Sequence, residues 1–142
     1  MDQVVADASV IIKLFVKEEY TDAALNLINS YVSGSLTIAV PSLLIYEVLS
    51  GIRYSKSKKF TLDEIKVITN TIEEYDFNII QPDQEVLQEI MRVSIKYNIS
   101  LYDSVYVAIA SLKNAVLYTA DQKLMDVVRL PFVKHIRAFK ME

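Results

Sequence analysis

Gln3-Val4-Val5-Ala6-Asp7-Ala8-Ser9-Val10-Ile11-Ile12-Lys13 begins as a short apolar run, reaches one acid, and continues with helical spacing. So short a run fits a strand covered on both faces, and Asp7 then stands where strand gives way to helix. Apolar runs alternate with helix-period segments along the rest of the chain. Strands are expected at Gln3 to Ala6, Leu36 to Val40, Phe77 to Gln81, Ala115 to Thr119 and Val133 to Arg137. Helices are expected at Ser9 to Val16, Thr21 to Val32, Ser42 to Tyr54, Leu62 to Tyr75, Gln84 to Tyr97, Leu101 to Asn114 and Gln122 to Val128. Strands separated by helices require crossovers, so the fold class is α/β, with a mostly parallel sheet of about five strands. Local signals agree. Pro41 stands between a strand and a helix, Thr61 with Glu64 reads as a capping box, and so does Ser100 with Asp103.

At 142 residues and 52% hydrophobic content, one domain over residues 1–142 is expected. The chain has no cysteine, which excludes disulfides, thiolate zinc sites and cysteine nucleophiles. No apolar stretch approaches the roughly 18 residues a membrane span needs, so a cytoplasmic protein without membrane contact is expected. A net charge of −3 argues against tight, sequence-independent gripping of nucleic acid, although a local basic patch or bound cations can still supply attraction. With only Gly34 and Gly51, no glycine-rich phosphate cradle can form.

Four acids, each beside or inside an apolar stretch, are the candidate site: Asp7, Glu47, Asp103 and Asp121. Asp7 and Asp121 follow strands, and in parallel α/β sheets ligands bind beyond the carboxyl ends of strands. Each has an ordinary explanation when taken alone. Asp7 and Asp121 can cap helices, Asp103 can partner Ser100, and Glu47 can face solvent. Glu47 resists this most, because Leu44, Ile45, Tyr46, Val48, Leu49 and Ile52 leave its helix little polar face. Gathered carboxylates repel one another unless a cation joins them, and with no cysteine and one histidine the donor set selects Mg²⁺ or Mn²⁺. Such ions suit phosphoester hydrolysis through an activated water. His135 has no catalytic partner nearby in sequence and reads as a packed or surface residue.

Val4-Val5-Ala6-Asp7-Ala8-Ser9-Val10-Ile11-Ile12-Lys13, Pro41-Ser42-Leu43-Leu44-Ile45-Tyr46-Glu47, Leu101-Tyr102-Asp103-Ser104-Val105-Tyr106-Val107-Ala108 and Thr119-Ala120-Asp121-Gln122-Lys123-Leu124 together resemble the PIN-domain family, most closely its VapC-like toxins. The resemblance implies a three-layer α/β/α sandwich and an Mg²⁺- or Mn²⁺-dependent endoribonuclease of a toxin–antitoxin pair. It assigns metal binding and catalysis to Asp7, Glu47, Asp103 and Asp121, with Asp121 the most variable in role. Ser9 and Thr119 are expected to orient the carboxylates or water. The implied partners are an RNA substrate, a cognate antitoxin and a second copy of the chain.

For RNA contact, Lys13, Arg53 and Lys56 are candidates, the last two in a basic run that reads more readily as a solvated loop. Tyr46, Tyr102 and Tyr106 flank the acids as stacking or packing residues. Apolar stripes on Thr21 to Val32 and Leu62 to Tyr75 fit a homodimer seam, an antitoxin groove or core burial equally well. A haloacid-dehalogenase-like phosphatase needs a second aspartate where Ser9 stands, and a receiver-type phosphoacceptor needs an acid pair after the first strand. The rival from another class is a catalytically silent module that binds RNA or protein.

Overall fold

The computed structural model describes residues 2–141. Five parallel strands form one sheet in the order β3-β2-β1-β4-β5. They are β1 (Asp2–Ala6), β2 (Leu36–Pro41), β3 (Asn78–Ile80), β4 (Val116–Thr119) and β5 (Val133–His135). The helices are α1 (Ala8–Ile11), α2 (Thr21–Val32), α3 (Leu43–Arg53), α4 (Leu62–Tyr75), α5 (Gln84–Tyr97), α6 (Leu101–Leu112) and α7 (Gln122–Val128). The chain steps from β1 to β2 to β3 in one direction, then crosses to β4 and β5 on the other side of β1. Right-handed crossovers therefore place α1 to α4 on one face and α5 to α7 on the other, a three-layer α/β/α sandwich. The order reverses between β1 and β4, and that switch opens a crevice at their carboxyl ends.

Burial follows from the central position of β1 and β2. Val4, Val5 and Ala6 in β1, and Ile38, Ala39 and Val40 in β2, are all buried, as expected of strands covered on both faces. They pack with Val48 and Ile52 of α3 and Val107 and Ile109 of α6 into one core. β3 is an edge strand with Asn78 and Ile79 exposed. Pro41 ends β2 opposite Ile80, where a missing N–H costs the ladder little.

Three local expectations are corrected. The segment from Ser9 to Val16 holds one α-helical turn and then a 3₁₀ turn, Ile12–Leu14, rather than one helix. The last strand stops at His135, because Ile136–Ala138 forms a 3₁₀ turn whose Arg137 N–H donates to His135 Nδ1. Ser100 accepts from Asp103 N–H at 3.0 Å without the reciprocal bond, so that cap is half a box. The Thr61 and Glu64 box is complete. The α2 stripe buries Ala24, Leu27 and Ile28, whereas on α4 only Ile68 is fully buried and Leu62 and Val67 are exposed. Among the described residues, no helix is long and apolar enough to cross a membrane.

Candidate active site

The four acids converge from four segments on the crevice between β1 and β4. Asp7 leaves β1 in extended backbone, and its N–H donates to Tyr118 O at 3.2 Å, so the β1–β4 ladder itself pins it. Its carboxylate caps α1: Oδ1 accepts from Val10 N–H at 3.3 Å and from the Ser9 hydroxyl at 2.5 Å. Asp121 caps α7 in the same way, with Oδ1 accepting from Leu124 N–H at 3.2 Å. Asp103 lies in the first turn of α6 and Glu47 one turn into α3. Capping therefore does not exclude Asp7 and Asp121 from the candidate site, because a cap leaves the second carboxylate oxygen available.

Electrostatics shows which acids sense one another. Burial pushes Asp7 up from 3.8 to about 6; Ser9, Thr119 and Val10 pull it back, and Asp103 adds to the rise. Burial likewise raises Glu47, against the pull of the Tyr106 hydroxyl and with the charge of Asp103 adding to it. Asp103 is raised by burial, lowered by Ser100 and raised again by Asp121. The cluster is therefore a star with Asp103 at its centre. Gathered carboxylates of this kind repel one another when ionised.

Ser9 and Thr119 tie the two strand ends together. The Ser9 hydroxyl donates to Asp7 and accepts from Ala120 N–H at 2.9 Å, while fully buried Thr119 accepts from Asp121 N–H at 3.0 Å. The two hydroxyl oxygens are 3.5 Å apart. One hydroxyl pair thus holds the Asp7 carboxylate and the Asp121 backbone, while the Asp121 carboxylate is aimed by its cap on Leu124.

The basic candidates are not gathered with the acids in this way. Lys13 is buried and paired with Glu18 at 3.1 Å, so its ammonium is already engaged. Arg53 lies over the Tyr54 ring, and Lys56 is exposed in the loop after α3. His135 is buried edge-on against Tyr20 and, opposite Thr119 in the sheet, sits closer to the acid-bearing edge than its place near the end of the chain implies. Burial, with Arg137 and Lys13 nearby, holds it below the usual histidine range.

Two residues gain roles that the sequence reading missed. Tyr106, treated there as a packing or stacking residue, donates its hydroxyl to Glu47 Oε1 at 2.6 Å. The clue was available: Tyr106 is one turn beyond Asp103, and Glu47 on an apolar helix needed a partner. Gly51, one turn beyond Glu47, lets α3 close on the 3₁₀ turn after α1; a Cβ there would collide with Ile12 Cδ1.

Carboxylate oxygens in a partly desolvated ring suit a hard divalent cation. Among the described residues, no three Asp, Glu or His side chains already stand close enough to grip one ion. A loose ring still fits Mg²⁺, which keeps several of its own waters and takes only one or two carboxylates directly.

A doubly wound α/β domain with an acid cluster at its topological switch is the class that fold and site define. The PIN domain family profile matches residues 4–130, and the chain belongs to that family. No curated protein matches the sequence. Among solved structures, the chain is similar to a toxin–antitoxin complex from Klebsiella pneumoniae (TM-score 0.69, 20% identity, 94% of this chain and 97% of that one). It is also similar to VapBC2 from Rickettsia felis bound to a DNA fragment from their promoter (0.66, 16%, 90% and 95%). A third is VapC20 of Mycobacterium tuberculosis, a toxin that cleaves the sarcin–ricin loop (0.63, 8%, 89% and 98%). At these identities the likeness is one of fold.

Proposed function

We propose that the chain is a metal-dependent endoribonuclease and the toxin of a toxin–antitoxin pair. The observation that carries this reading is the star of carboxylates around Asp103 at the β1/β4 switch, in a family whose fold neighbours include an RNA-cleaving toxin. Asp7, Glu47 and Asp103 would hold Mg²⁺ or Mn²⁺, with Asp121 completing the ring. When bound, the ion supplies a more acidic water and neutralises charge on the phosphodiester.

The protein's own part is positional. Ser9 and Thr119 hold Asp7 and Asp121, the β1–β4 ladder fixes the separation of their strands, and helix N-termini at Asp7, Asp103 and Asp121 favour the ionised forms. Exposed Tyr46 and Tyr102, each adjacent to a site acid, offer faces on which unpaired bases can stack. The fold neighbours support an antitoxin partner, and the exposed apolar residues of α4 and α5 support a partner surface, a second copy of the chain included.

The test is cleavage of labelled single-stranded RNA with Mg²⁺, with Mn²⁺ and with chelator, by the wild type and by Asp7→Asn and Asp103→Asn. Loss of cleavage in chelator and in both variants is expected; equal cleavage by all three proteins would refute the assignment. That no three acids among the described residues form a ready-made grip favours a second reading, a silent PIN-fold module that binds RNA or protein. Under it, RNA is retained and no condition yields cleavage. For the antitoxin, growth arrest on expressing the chain alone, relieved by co-expressing a small reading frame encoded immediately upstream, is the expected result.

A further inference from the structure

Of the three tyrosines near the acids, only Tyr106 is buried: it is 3% exposed, against 71% for Tyr46 and 59% for Tyr102. A buried phenol requires a partner for its hydroxyl, and the one it has is an acid of the site, Glu47 Oε1 at 2.6 Å. Tyr106 itself stands three residues after Asp103, on the same side of α6. That one bond ties the helix that carries Asp103 to the helix that carries Glu47.

Packing holds α3 and α6 against the shared strand β2, but it does not by itself fix where the Glu47 carboxylate points. α3 rests on α1, the 3₁₀ turn after it and β2, whereas α6 rests on α5, β1, β2 and β4. Glu47 is partly exposed and has three side-chain torsions, so without a tether its carboxylate samples several positions. The bond to Tyr106 removes that freedom, occupies Oε1 and leaves Oε2 for a cation.

The geometry points to Tyr106 as a positioning residue, whose hydroxyl orients the Glu47 carboxylate at the crevice where Asp7 and Asp103 would meet a hydrated ion. This rests on the cation-dependent reading of the site. It assigns Tyr106 no contact with RNA or with the ion; the residue acts through Glu47.

The test is Mn²⁺ binding without RNA, followed by loss of the free-ion paramagnetic resonance signal, in wild type and Tyr106→Phe. Removing a group that orients a ligand weakens metal binding by about 10- to 100-fold, and that loss is expected here. At limiting Mn²⁺, kcat falls by a similar factor with KM for RNA unchanged, and saturating Mn²⁺ restores it. In a Glu47→Gln background, Tyr106→Phe is expected to change Mn²⁺ affinity less than about twofold, because its route of action is gone. Wild-type affinity in Tyr106→Phe, or an equal loss in both backgrounds, overturns the proposal while leaving the cation site intact. Wild type that takes up no more Mn²⁺ than Asp7→Asn overturns the cation reading, and this proposal with it. A second measurement needs no variant to fold: in wild type labelled with ¹³C-tyrosine, the buried Tyr106 ring signal must move during Mg²⁺ titration. A signal indifferent to Mg²⁺ equally refutes the assignment.

Discussion

Replacing Asp7 with Asn is expected to stabilise the metal-free protein at neutral pH. Asp7 is only 8% exposed, and burial lifts its carboxyl from 3.8 to about 6. That step is roughly two pH units, and at about 1.4 kcal/mol per unit the buried anion costs about 3 kcal/mol above pH 6. Because the folded value is the higher one, the contribution to stability is fully present below 3.8 and is lost as pH rises through about 6. Asn keeps an oxygen to accept from Ser9 and Val10, but its amide loses part of the gain by lacking an assured acceptor, which leaves about 2 kcal/mol. For a chain of this size that raises the melting temperature by about 6 °C. Thermal melts in chelator at pH 7.5 and pH 4 check both sign and window. The variant should melt higher at pH 7.5 and level with wild type at pH 4, while added Mn²⁺ should raise wild type more than the variant. A variant that melts no higher than wild type at pH 7.5, or gains equally at both pH values, would refute the claim that a desolvated anion sits at the end of β1.

Asp103→Asn should lower the apparent titration midpoints of both Asp7 and Glu47, since its charge raises each; carboxyl carbon shifts followed over pH read this directly, and unmoved midpoints would show that Asp103 is not the centre of the cluster. His135 works with the opposite sign to Asp7. Its folded value lies below the usual 6.5, so the unfolded chain binds the extra proton and stability is lost as pH falls below 6.5 through the lowered value. Measured in the Asp7→Asn background, which removes the overlapping slope, His135→Gln should flatten that acid limb of a urea-unfolding series. Gly51→Ala should destabilise by about 1 kcal/mol, the Cβ clash with Ile12 outweighing the helix-propensity gain, and Ile12→Val should recover much of it by removing Cδ1. Additive losses in denaturant titrations would show that α3 does not approach the 3₁₀ turn as described.

The layout of the fold was legible because its signals are periodic and local. Continuous apolar runs at Val4 to Ala6 and Ile38 to Val40 mark strands buried on both faces, and four predicted helices match the observed bounds residue for residue: Thr21 to Val32, Leu62 to Tyr75, Gln84 to Tyr97 and Gln122 to Val128. The segment after Asp7 was less legible. Val10, Ile11 and Ile12 have helical spacing, but the Thr21 hydroxyl takes the Lys13 and Val16 carbonyls and the last turn tightens to 3₁₀. Of the candidate site, Asp7, Asp103 and Asp121 could be named from their places after strands and near helix starts and Glu47 from its apolar helix, whereas Ser9 and Thr119 came only with the family resemblance. The partners they find across the sheet could not be named. Lys13 has a carboxylate five residues on, and only the fold shows that Glu18 engages it. Tyr106 and Glu47 are separated by 59 residues, so their bond follows from how α3 and α6 meet.

That division explains why capping and site readings need not compete. Asp7 and Asp121 do cap helices, so the ordinary explanation of each holds, and it leaves a carboxylate oxygen free for a further role. A cap places a carboxylate at the positive end of a helix, which favours its ionised form. α1 is a single turn of four residues, however, and its weak dipole cannot offset the desolvation that raises Asp7. The longer α6, with Asp103 in its first turn, is better placed to do so, yet Asp103 too is held up by burial and by Asp121. Helix ends thus aim these acids without making them comfortable. The residual cost sits at the β1/β4 switch, where a divalent cation shared among the carboxylates would relieve repulsion that no residue in the star relieves on its own.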